Sequence, residues 1–274
     1  MKKRNQKISI GGLGLVTLIS LLFFSAPLAG LRSDWVLQIQ EASLRSTSVF
    51  HQTGLNLGIP TSADTDDHRW CNHMKLFQLS RIFPDYGLGE LSIRYNFGAF
   101  KDGRSSFYDP AAATFNAHYG VYAVRLDDGI FGYTEDGTVN VAALLELVSF
   151  DQLDLVMTAL GCPPSRQQFD STHINIQPGP EMAGYQDWIQ VDAAILTNAP
   201  LFHFQGLHTG MLQYGSPPAS YNGADFPEVP MVGRIYLRYD NTRQVTVIYF
   251  VMAKDLSLVE ETSTTYLQPI TWPL

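Results

Sequence analysis

The sequence predicts an α+β protein, with an N-terminal hydrophobic helix followed by a mostly antiparallel sheet with packed helices. Three observations lead there. A basic start runs into an apolar stretch with no charge from Ile8 through Leu31. Val141–Val148, apolar nearly all round, and Leu153–Leu160, with apolar residues at helical spacing, read as the clearest helices. Between and after them lie short, β-branched and aromatic runs bounded by turn residues, the pattern of strands in an antiparallel sheet.

Residues 1–31 come first. Lys2, Lys3, Arg4 and Lys7 precede the uncharged stretch, which as a helix spans roughly 36 Å, enough for a hydrocarbon core of about 30 Å. Positive charge ahead of the apolar run keeps the N-terminus cytoplasmic, so residues 32–274 are expected to be an extracytoplasmic globular domain. A signal anchor and a cleaved signal peptide share this layout. Ser25–Gly30 offers no clean pair of small residues for cleavage, since Ala29 would put Pro27 at −3. The domain is thus expected either on a single-pass anchor in the cell membrane or, after cleavage, secreted or periplasmic.

Along the body, Ser33 and Asp34 start a helix carrying Trp35, Ile39, Ala42 and Val49, and residues 54–65 read as a loop. Helical spacing returns from Thr65 to Ile82, with Trp70, Met74 and Phe77 on one face. Leu91–Phe100 alternates as a strand. Asp109-Pro110 starts a short helix that Gly120 stops. Val121–Leu126 and Ile130–Thr134 flank Asp127-Asp128-Gly129, a hairpin signal, and Glu135-Asp136-Gly137 closes the unit. Val141–Val148 is a helix that is apolar nearly all round. Ser149 and Gln152 have capping-box spacing, Asp151 adds negative charge to a second helix start, and Gly161 with Pro163-Pro164 ends it. His173–Ile176 and Leu201–Phe204 are short strands, with a long Pro/Gly-rich loop over residues 215–230. The last pair, Val232–Tyr239 and Gln244–Ala253, is joined by Asp240-Asn241-Thr242-Arg243. Both faces of the second strand are apolar, which predicts a central strand covered on both sides.

Composition excludes one partner class. The basic leader lies outside the domain, leaving 14 Lys+Arg against 26 Asp+Glu, a formal charge near −12. Such a surface repels phosphate backbones, so nucleic acid is not an expected partner. The two cysteines, Cys71 and Cys162, would sit where disulfides persist. A bridge closes about 91 residues and is worth roughly 4–5 kcal/mol in the chain-entropy model; two separate buried thiols and a reactive cysteine are the alternatives.

Chemical signals are sparse. Asp64, His68 and Cys71 share a helical quadrant within Asp64–His73, and Asp64, His68 and His73 are metal-ligand types. The spacing matches no metal motif, and an acidic first helical turn explains it equally well. His203 and His208 with Asp225, and His173 on its strand, form a dispersed acid/base pool together with Asp66, although histidines among aromatics are ordinarily core residues. No Gly-x-Ser-x-Gly elbow occurs, and no cofactor loop is present. Tyr185, Trp188, Tyr214 and Tyr221 cluster in the Pro/Gly-rich third, where flat rings could line a ligand groove. The expectation is a non-catalytic binding or assembly factor, tied to the membrane through its N-terminal helix and recognising a protein or small molecule. The rival is an exported hydrolase with a dispersed His/Asp site.

Overall fold

Nine consecutive residues, Val245–Ala253, are buried without exception, and the sheet is organised around that strand. The computed structural model describes residues 74–76, 90–95, 118–157, 164–198 and 228–272. Within them, β1 (Met74–Leu76), β2 (Glu90–Tyr95), β3 (His118–Arg125), β4 (Phe169–Pro178), β5 (Ile189–Thr197), β6 (Val229–Asp240) and β7 (Val245–Ala253) form one sheet. Its order is β1-β2-β3-β7-β6-β5-β4, and every pairing is antiparallel. Two meanders, β1–β3 and β4–β7, are therefore joined edge to edge at the β3–β7 pair. The α+β expectation holds, and so does the central, doubly covered last strand.

Each face of the sheet carries a helix. On one side, α1 (Val141–Ser149) buries Leu144 and Leu147, with Phe150 just beyond, against Ile93, Val124, Leu237, Ile248 and Phe250. Each such side chain contributes about 2 kcal/mol when removed from water. Asn140 caps α1 by accepting from the Ala143 amide at 3.1 Å. On the other side, α2 (Leu256–Thr262) and the C-terminal Ile270 and Trp272 cover Tyr119, Tyr236, Val247, Tyr249 and Val251. Asp255 caps α2. The Ser257 hydroxyl and then the Leu258 amide, bonding to its carboxylate, hold its pKa below the usual range. Both helices continue without a break into wide π-type turns, Phe150–Met157 and Ser263–Leu267.

Several expectations are corrected. Met74–Leu76 is strand, not helix, because it pairs with β2. Gly120 stops no helix; it lies inside β3 opposite Phe250. Ile130–Thr134 makes no hairpin with β3, whose two edges are already taken by β2 and β7. The small hairpin is instead Tyr133 with Val139, where the Asp136 carboxylate gathers the hydroxyls of Thr134 and Thr138. Ser149 starts no second helix, since α1 runs through it. The expected turn at Asp240–Arg243 is present and extends to Gln244, which takes φ 51°. Asp240 Oδ1 accepts the Thr242 and Arg243 amides there.

The N-terminal apolar segment lies outside the described residues. Among the described residues no helix is long and apolar enough to cross a membrane.

Candidate functional site

Beneath α1, the sheet carries two small residues next to each other. Ala193 of β5 is the direct cross-strand neighbour of Gly233 of β6, and Ser171 of β4 lies opposite Ile195 one step away. A helix resting on large neighbours cannot sink into that hollow. The result is a cavity of about 50 Å³ between α1 and strands β4–β7. Its roof is Val141, Leu144, Leu145 and Val148, and its floor includes Val191, Ala193, Ile195 and Ile235. A Cβ on Gly233 would come within 2.5 Å of Ile195 Cδ1, so the isoleucine leans over the bare backbone.

Size decides what this cavity suits. Whole metabolites occupy pockets of about 300–1,000 Å³. An apolar cavity of about 150 Å³ takes up benzene or xenon and stays dry. At one third of that, the present cavity matches a single branched alkyl group.

One end is polar. Tyr122 of β3 and Gln152 of the wide turn both line the cavity. Behind them the Asp151 carboxylate is fully buried. Tyr122 Oη donates to Asp151 Oδ2 at 2.7 Å, and Gln152 Nε2 donates to the same oxygen at 3.0 Å. The Tyr122 ring stacks on Phe250 at 4.6 Å. Buried carboxylates are costly without such donors. Wide helical turns recur where a side chain must be re-aimed, and this one points Asp151 inward. Sequence reasoning read Asp151 as a negative charge at the start of a second helix. A usable signal existed: Leu144, Leu147 and Asp151 are spaced at three and seven residues, which puts an acid in line with the buried leucines.

The edge strand β4 forms the outer wall through Ser171 and Ile174. Between Thr172 and Asn175 it carries a one-residue bulge, with His173 at φ 53°. The bulge changes which side chains face α1. With strict alternation from Phe169, Ile174 and Ile176 would fall on the opposite face; the extra residue returns both to the cavity side.

The predicted site residues are placed as follows. His173 is no core histidine: it is exposed on the bulge, with Nδ1 3.0 Å from the Thr172 hydroxyl. Trp188 is not a groove wall. It is 2% exposed, donates from Nε1 to the Met182 carbonyl at 2.8 Å, and meets Trp272 edge-on in the core. Tyr185 is half-buried under the Arg238 guanidinium, 3.7 Å from its ring centre, and Arg238 Nε donates to Asp187 at 2.6 Å. Asp64, His68, His73, His203, His208, Asp225, Tyr214 and Tyr221, with Cys71 and Cys162, lie outside the described residues. Among the described residues no group of three or more His, Cys, Asp and Glu could hold a metal ion.

A second polar strip runs along β5 and β6 on the α2 side. Arg234 Nε donates to Asp192 Oδ1 at 2.6 Å, and Gln190 Nε2 donates to Asp192 Oδ2 at 2.8 Å. Burial works against the Arg234 charge, yet the Asp192 carboxylate, with the Tyr236 side chain beside it, holds its pKa above the ordinary value. The charge on this strip is internally matched, which suits a structural role.

Compared with known proteins, the chain matches no protein-family model and no curated protein.

Proposed function

We propose that this chain is an exported or membrane-anchored binding domain, and that the hollow under α1 is its receptacle for one apolar group. The observation that carries the reading is the pairing of Ala193 with Gly233 beneath a helix, with the buried Tyr122–Asp151–Gln152 cluster at one end. A core built only for stability fills such a hollow, because each missing methyl group forfeits about 1 kcal/mol. Polar groups fixed at one end of an apolar cavity give a guest its orientation. The export half of the reading is supported by the basic start and the uncharged run Ile8–Leu31.

Two measurements test the two halves. A C-terminal fusion to a reporter enzyme that works only outside the cytosol is expected to be active; a stable but silent fusion overturns export. Xenon titrated into the purified protein is expected to shift the methyl resonances of Leu144, Ile195 and Ile235 in a saturable way. Linear, unsaturable shifts spread over the whole protein overturn the receptacle. The dispersed hydrolase gains ground only if hydrolytic activity is lost on changing two or more of His173, His203, His208 and Asp225.

A further inference from the structure

We draw no further inference here: the strongest candidate, the apolar hollow between α1 and strands β4–β7 with its polar end at Tyr122 and Asp151, belongs to the site already described, and nothing in the structure shows what occupies it.

Discussion

Replacing Tyr122 by phenylalanine removes one oxygen and leaves the ring on its stack with Phe250, 4.6 Å away and tilted by 14°. The lost hydroxyl donates to Asp151 Oδ2 at 2.7 Å, between side chains with essentially no exposure. A hydrogen bond to a charged acceptor is worth about 1.5–3 kcal/mol, and the abandoned carboxylate adds a desolvation penalty. Gln152 Nε2 stays on the same oxygen at 3.0 Å and offsets part of this. The expected loss is about 2 kcal/mol. For a domain of this size, that lowers Tm by roughly 4–8 °C. Urea unfolding followed by tryptophan fluorescence is the assay, since Trp188 and Trp272 are buried against each other in the core. The midpoint should fall while the slope m stays unchanged. Asp151→Asn and the double variant complete a cycle whose coupling should reach about 1 kcal/mol. A Tyr122→Phe loss below about 0.5 kcal/mol, or an additive cycle, refutes the reasoning that this pair secures the polar end of the cavity.

Three further outcomes are expected. Asp255→Ala should cost about 1 kcal/mol through loss of the α2 cap. Because the folded pKa of Asp255 is lowered, its contribution is complete above the unfolded value of about 3.9 and fades as pH falls through the folded one, so wild type and variant should converge in acid melts. Arg238→Lys keeps the charge but loses the planar stack on Tyr185 and the Nε bond to Asp187. It should cost about 2 kcal/mol and raise hydrogen exchange over Met182–Trp188; unchanged exchange refutes the clamp. Gly233→Ala pushes on Ile195, but the adjacent cavity accepts the displaced methyl, so the cost should stay near 1 kcal/mol while xenon uptake is lost. A penalty above about 3 kcal/mol, or intact uptake, contradicts that account.

The parts of the fold legible in the sequence were those decided within one element. Val245–Ala253 is apolar on both faces, and only a central strand buries both. Val141–Val148 is a run apolar nearly all round, and it folds as the helix α1. What was not legible depends on partners distant in the chain. Met74 and Phe77 fit a helical face, but the edge of β2 offered ladder bonds to Met74–Leu76. Asp127-Asp128-Gly129 has hairpin chemistry, yet β3 had no edge left to pair. The bulge was invisible because Phe169–Pro178 alternates acceptably in either phase, and only the cavity face makes one phase better. The site was missed for the same reason. Neither Ala193 nor Gly233 carries chemistry, and their hollow exists only once β5 and β6 are in register. Asp151 was read by the local rule for helix starts, which the unbroken helix overrides.

The seam of the sheet is supplied by β7, the last in chain order of the described strands. β7 must bond to β3 across a separation of at least 122 residues, as in Val124 with Thr246. Until Ala253 emerges, β3 and β6 each lack their β7 partner, and the two halves meet through packing under α1 instead of through a ladder. Closing so large a loop is slow, and naked edges recruit wrong neighbours in the meantime. A stop codon placed before Val245 should release two meanders that aggregate instead of one shortened domain.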